Sequence, residues 1–279
     1  MKKFLKYSAI VLVLIVLLGA GGIYYWATAN VARPGEAAIL AMRSDGRVTV
    51  TDGKFVVFRP ADSEPTTGLI LYPGATCDVR GYAPVLRRIA DRGYLVIGVQ
   101  MPLNMAIFAP DRADEVRAAF PDIKHWVIAG HSMGGAMAGR YAHNHPDDLA
   151  GAILWDAYPP ASDTLVDVHY PVWLIHRATA DGQPPKKFSA NRDLFPVNSR
   201  WLPLRGGIHM QFGSFVGGGY TEEWTATITP EAQHDLIVTD TLNALLTMAP
   251  PVLSAMGTVP AAAVPTRVLP RSRHAAVET

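Results

Sequence analysis

The first apolar pattern in the chain is a stretch from Tyr7 to Ala32, 26 residues without Asp, Glu, Lys or Arg, with an unbroken aliphatic run at 10–18. A helix rises about 1.5 Å per residue and needs roughly 20 apolar residues to cross the hydrocarbon core of a bilayer, so this stretch is long enough to span. Tyr24, Tyr25 and Trp26 fall where an interfacial aromatic belt would lie. Lys2, Lys3 and Lys6 mark the cytoplasmic end and predict that the following domain lies outside the cytoplasm. Ala27-Thr28-Ala29 also reads as a signal-peptidase site, so residues 1–29 are either a transmembrane anchor or a signal segment, and cleavage after Ala29 would give a secreted protein.

Beyond this segment the pattern predicts a linker over 30–46 and a folded domain over 47–248. Two β-runs, 47–51 and 54–60, flank Asp52-Gly53, a strong short hairpin signal. Continuous apolar runs at 69–72, 95–99, 126–129, 152–155, 172–176 and 200–204 then alternate with helical patterns at 82–91, 111–120, 133–145, 187–194 and 230–248. Short runs apolar on both faces, separated by helices, predict an α/β fold: a mostly parallel, doubly wound sheet opened by an N-terminal hairpin. Only about 16 residues separate the fourth and fifth of these runs, too few for a helical cap domain. Residues 249–279 hold no aromatic side chain and many Ala and Pro, and are expected to form a disordered tail.

Composition narrows the function. The chain of 279 residues is 49% hydrophobic and 18% charged, which excludes disorder as its main state. Its formal charge is +1; without the three lysines of residues 1–29, 22 basic side chains face 24 acidic ones. That balance argues against a nucleic-acid partner and leaves a small molecule. A single cysteine, Cys77, can form neither an internal disulfide nor a thiolate metal cluster.

The candidate chemistry lies in Gly130-His131-Ser132-Met133-Gly134, a GxSxG between an apolar strand and a helix of small residues. That context forces Ser132 onto a sharp strand-to-helix turn at the top of the sheet. A serine hydroxyl needs a general base and a group to orient that base. His209 is the preferred base because it follows the last strand by five residues, whereas His176 lies in an apolar strand and His131 is expected only to fill the turn beside the nucleophile. The orienting acid should follow a strand between the two in the chain. Asp181 is favoured and Asp156 is the alternative. Backbone amides of Met133 and Ala75 are the candidate oxyanion donors. Leu103, Asn104, Met105, Phe212 and Phe215 are the expected substrate-pocket walls, and Cys77 is a weak rival nucleophile without a turn of its own.

With these residues in place the chain resembles the α/β-hydrolase superfamily, and within it the small, cap-poor fifth α/β-hydrolase family, akin to dienelactone-hydrolase-like esterases. The resemblance rests on LILYPGA at 69–75, GYAPVLRRIADRGYLVIGVQMPLN at 81–104, GHSMGG at 130–135, HRATADG at 176–182 and GGIHMQFGSF at 206–215. It implies Ser132 as nucleophile, Asp181 as acid and His209 as base, acting without cofactor or metal on a carboxylic ester. This chain has Ala75 where a second glycine is expected in the oxyanion loop, and Ser132 where dienelactone hydrolases carry cysteine. With little or no cap the pocket should be open and shallow, suited to a small or short-chain ester. A catalytically silent binding module of the same fold is the second reading, and the intact Ser132, Asp181 and His209 argue against it.

Overall fold

The computed structural model describes residues 2–250, so the expected tail lies outside the described residues from residue 251 onward. The first helix, α1 (Lys2–Ala29), contains Lys6–Ala29, 24 residues long and apolar enough to cross a membrane. By length and composition it fits a membrane anchor or a signal sequence. Residues 30–46, expected as a linker, are instead built into the domain. Ala32 pairs in parallel with Cys77, β1 (Arg33–Pro34) pairs with Phe215 and Val216, and α2 (Glu36–Ala41) buries Ala38.

The hairpin follows as β2 (Val48–Asp52) and β3 (Phe55–Pro60), antiparallel around Gly53. Then come β4 (Thr67–Tyr72), α3 (Ala83–Ala90), β5 (Leu95–Val99), α4 (Ala113–Ala119), β6 (His125–His131) and α5 (Met133–Asn144). The remaining elements are β7 (Gly151–Trp155), β8 (Val172–Ala178), α6 (Lys186–Ala190), β9 (Arg200–Arg205), the short β10 (Phe215–Val216) and α7 (Pro230–Met248). Eight strands form one sheet in the order β2-β3-β5-β4-β6-β7-β8-β9, and every pairing from β5 to β9 is parallel. No helix forms in residues 156–171, in line with the expected lack of a helical cap.

The sheet carries a core on each face because its central strands are apolar at every position. On β4, Leu69 and Leu71 pack with Val85 and Leu86 of α3 and Ile237 and Leu245 of α7. Ile70 and Tyr72 turn the other way, toward Val116 of α4 and Met137 and Tyr141 of α5. Alternate side chains of one strand thus bury themselves under opposite helix layers. Local signals set the helix ends. Thr229 caps α7 by accepting a hydrogen bond from the Ala232 amide at 3.2 Å, and Pro230 occupies the first turn, where its missing N–H costs nothing.

The chain runs from β4 outward to β5 and then returns to place β6 on the far side of β4. Such a reversal leaves a crevice at the carboxyl ends of the two central strands. The loop after β4 and the turn after β6 both open into it.

Candidate active site

Ser132 stands between β6 and α5 with φ 54° and ψ −124°, a backbone conformation that non-glycine residues rarely adopt. The flanking glycines make the turn possible. A Cβ on Gly130 would lie 2.3 Å from the Gly134 carbonyl oxygen, and one on Gly134 would lie 2.2 Å from that of Pro73. The Ser132 amide donates to the Trp155 carbonyl at 3.0 Å, which ties the turn to the end of β7.

His209 comes from the loop after β9, as expected. Its backbone is held from two sides: Gln233 of α7 brackets Ile208 through bonds of 2.9 and 2.8 Å, and the Glu222 carboxylate accepts the amides of His209 at 3.0 Å and Met210 at 2.7 Å. His209 Nε2 lies 2.9 Å from Ser132 Oγ, and Nδ1 hydrogen-bonds an Asp156 carboxylate oxygen. A carboxylate can only accept here, so Nδ1 carries the proton and Nε2 accepts from the serine hydroxyl.

The acid partner differs from the favoured expectation. Asp181 is exposed, and its carboxylate accepts from the Thr179 hydroxyl in the turn beyond β8, a hydrogen bond that lowers its pKa. It makes no hydrogen bond to His209 among the described contacts. The reason is the length of β8, which continues to Ala178 and carries Asp181 toward Arg205, whose guanidinium donates to the Asp181 carbonyl at 3.3 Å. Asp156, the alternative, directly follows β7 at φ 48° and is buried against the imidazole.

Asp156 also meets Arg177, which sequence reasoning did not single out. The Arg177 amide donates to Asp156 Oδ1 at 3.0 Å and its guanidinium donates to Oδ2, the oxygen that His209 shares. A second arm of the guanidinium reaches Glu223 at 2.7 Å. Burial would push the Asp156 carboxyl upward, but the hydrogen bond from His209 and the charges of His209 and Arg177 outweigh it and hold it well below the usual carboxylate range.

His131 does not merely fill the turn. It is fully buried, its ring centroid lies 4.4 Å from that of His209, and it stacks on Phe212 at 5.0 Å. Burial, helped by the charge of His209, lowers its pKa well below the ordinary histidine value and keeps it neutral. The Tyr82 hydroxyl lies 2.7 Å from His131 Nδ1 and accepts the Gly74 amide at 3.0 Å. With the Thr76 amide taken by the Asn104 carbonyl at 2.8 Å, the Ala75 amide is left without a partner among the described residues, and Ala75 lines the crevice. Met133 opens α5, so its amide is one of the unpaired donors of a helix first turn.

These groups enclose a cavity of about 210 Å³. Its walls are not the five expected side chains. Phe212 is buried beneath His131, Phe215 packs edge-on against Tyr82 at 5.1 Å, Met105 is buried, and Leu103 and Asn104 form a tight turn at positive φ that supports the Ala75 loop. Ala75, Thr76, Met210 and Tyr220 line the cavity beside Ser132 and His209, and Trp26 and Asn30 from the end of α1 complete it. The sequence pattern marks these five as pocket walls, with core packing as the alternative for the four apolar ones; which surface they face is a property of the folded loops.

His131, Asp156 and His209 offer ligand atoms within 4.8 Å of one another. Both nitrogens of His209 are engaged, and the Arg177 guanidinium already lies on Asp156, where its charge would repel a cation. The arrangement suits proton transfer better than metal coordination.

The model of the Alpha/beta hydrolase family matches residues 68–235, which holds all three linked side chains and the loop after β4. The chain belongs to the alpha/beta hydrolase family. Over 121 residues this alpha/beta hydrolase is 30% identical to a Mycobacterium phage D29 protein provisionally named a non-heme haloperoxidase, covering 39% of this chain and 42% of that one. The match thus spans less than half the length of that relative. Among solved structures, ferulic acid esterase from Streptomyces cinnamoneus aligns with a TM-score of 0.52 at 19% identity, over 68% of this chain and 69% of that one. A membrane phospholipase A described as a bacterial virulence factor aligns with a TM-score of 0.50 at 14% identity, over 87% and 99%. Est1E from Butyrivibrio proteoclasticus, bound to ferulic acid, aligns with a TM-score of 0.50 at 12% identity, over 73% and 98%. At these identities the likeness is one of fold.

Proposed function

We propose that this alpha/beta hydrolase is a serine esterase acting on a small carboxylic acyl group, held at a membrane by its N-terminal helix with the domain outside the cytoplasm. The observation that carries the reading is the chain of contacts from Ser132 Oγ through His209 to Asp156, set beside the unpaired amide of Ala75. His209 Nε2 takes the hydroxyl proton as Ser132 Oγ attacks the ester carbonyl carbon. The amides of Ala75 and Met133 receive the oxyanion, and Asp156 supports the imidazolium. His209 then returns the proton to the leaving alcohol, and water releases the acyl group by the same steps. A cavity of about 210 Å³ lies below the roughly 300–1,000 Å³ of pockets for drug-sized ligands, which supports a short acyl group.

The test is fluorophosphonate labelling of the full chain beside Ser132→Ala, with p-nitrophenyl esters from acetate to decanoate. Labelling that disappears in the variant, with turnover confined to the short esters, is the expected result. A folded wild-type protein that stays unlabelled overturns the reading in favour of a silent binding module.

The name of the phage relative motivates a second use of the same residues, in which hydrogen peroxide replaces water at the acyl-enzyme and leaves as a peracid that oxidises halide. Bromination dependent on both a carboxylic acid and peroxide would favour it.

A further inference from the structure

The apolar N-terminal helix ends in the wall of the active-site cavity. α1 runs unbroken to Ala29, Ala27 is buried, and the Asn30 amide returns to the Trp26 carbonyl at 3.2 Å. Two residues later the chain is stitched to the loop after β4: the Ala32 amide donates to the Thr76 carbonyl at 2.8 Å, and the Asp78 amide to the Ala32 carbonyl at 3.0 Å. Trp26 and Asn30 therefore face the same cavity as Ser132 and His209. The opposite rim comes as close as glycine allows. A Cβ on Gly218 would lie 3.0 Å from Ala32, and one on Gly219 would lie 3.1 Å from Asn30 Oδ1.

A 24-residue helix is about 36 Å long against a hydrocarbon core of roughly 30 Å, so its last turns, with Tyr24, Tyr25 and Trp26, belong at the lipid headgroups. With no linker between helix and domain, the cavity is held at that depth. Exposed apolar side chains sit on the elements around the helix exit. Ile39 borders a groove with Thr28 and Val31, Val216 pairs opposite Arg33, and Ile107 and Phe108 follow the turn Pro102–Asn104 that touches α1. Such side chains lose water contact favourably at the headgroup boundary.

We propose that the mouth of the site lies on the bilayer surface and that the substrate is a membrane-resident amphiphile: a short-chain acyl ester of a long-chain alcohol. The short acyl group enters the cavity while the long chain stays among the lipids. Hydrolysis consumes one water and leaves a short carboxylic acid in solution and the alcohol in the membrane. Trp26 is then a specificity residue supplied by the anchor itself. The inference rests on the reading of Ser132 as nucleophile and of Lys6–Ala29 as an uncleaved anchor.

The experiment uses the full chain in phosphatidylcholine vesicles, with hexadecyl acetate in the bilayer and p-nitrophenyl acetate in solution. Two variants are compared with wild type: Trp26→Ala, and an insertion of twelve Gly/Ser residues between Ala29 and Asn30, which lets the domain drift about 20 Å from its anchor. Fluorophosphonate labelling of each variant verifies its fold. The expected result is a fall of at least tenfold, in both variants, in the ratio of kcat/KM for hexadecyl acetate to that for p-nitrophenyl acetate. A labelled insertion variant with an unchanged ratio overturns the inference and leaves the esterase reading standing, as does a mature protein whose mass shows it beginning at Asn30. An unlabelled wild type overturns the esterase reading and this inference with it.

Discussion

Arg177 and Asp156 meet with neither side chain exposed to solvent, and the carboxylate oxygen that takes the guanidinium is the one that takes Nδ1 of His209. Asp156 is therefore fixed from the β8 side by a cation and a backbone amide while it orients the imidazole. Under the proposed mechanism Arg177 is a positioning residue, acting through Asp156. Removing one member of a buried ion pair leaves the other uncompensated, at a cost of about 3–5 kcal/mol. Arg177→Leu is expected to lose that much stability in urea unfolding and to lower kcat more than KM changes. Unaltered stability would mean that the Asp156 charge finds compensation elsewhere.

The two candidate acids separate cleanly by substitution. Asp156→Asn should lower kcat by on the order of 10⁴-fold, because an amide does not hold the imidazole in the required tautomer or stabilise its cation. Asp181→Asn removes only an exposed turn carboxylate bonded to Thr179 and should stay within about twofold of wild type. Steady-state rates on p-nitrophenyl acetate decide between them, and the reverse order would restore Asp181 as the orienting acid.

The ambiguity in the acid shows where the sequence stops being legible. Strand alternation and the glycines around Ser132 are local signals, so the parallel sheet, the turn and the histidine loop could all be read from one dimension. Asp156 and Asp181 both follow apolar runs, and the choice turned on two extra residues of β8, which no periodicity reveals. The end of α1 was hidden for a related reason. An apolar run states that a helix avoids water but not that Trp26 meets the cavity. Residues 30–46 lack a strong pattern because they are held by short backbone pairings and a few scattered buried or half-buried side chains, Ala32, Ala38 and Met42 among them, rather than by a long periodic apolar face.

Acid should weaken the fold in two stages. Burial lowers the pKa of His131, His176 and His234 below the ordinary histidine value, so below about pH 6.5 the unfolded chain binds protons that the folded chain refuses. Asp156 is held below its ordinary value, so its contribution is complete above about pH 4 and is lost as pH falls further. Both terms have the same sign: stability falls on acidification. Urea midpoints measured from pH 8 to pH 3 should decline first below about 6.5 and again below about 4; a flat profile between pH 7 and pH 5 contradicts the histidine stage.

Cys77 borders the cavity, yet burial pushes its thiol up to about 11 and only 3% of its surface is exposed. The thiolate is the reactive form, so the native protein should resist a thiol reagent at pH 8 and react fully once unfolded in urea. Rapid native reaction would revive Cys77 as a rival nucleophile.

The closest backbone approach at the site gives the last prediction. Gly134 allows the first turn of α5 to press against the loop after β4, and a methyl group there would lie 2.2 Å from the Pro73 carbonyl oxygen, which is backbone and has no rotamer to relieve the contact. Overpacking of this kind costs about 1–3 kcal/mol and must push Ala75 away from Met133. Losing one oxyanion donor from register lowers rates by on the order of 10²–10³-fold. Gly134→Ala should therefore remain folded but slow fluorophosphonate labelling of Ser132 at least a hundredfold, whereas Gly46→Ala, with nothing within 4 Å of the added carbon, should label at the wild-type rate. Equal rates for the two variants would mean that the amides of Ala75 and Met133 do not stabilise the reacting oxygen together.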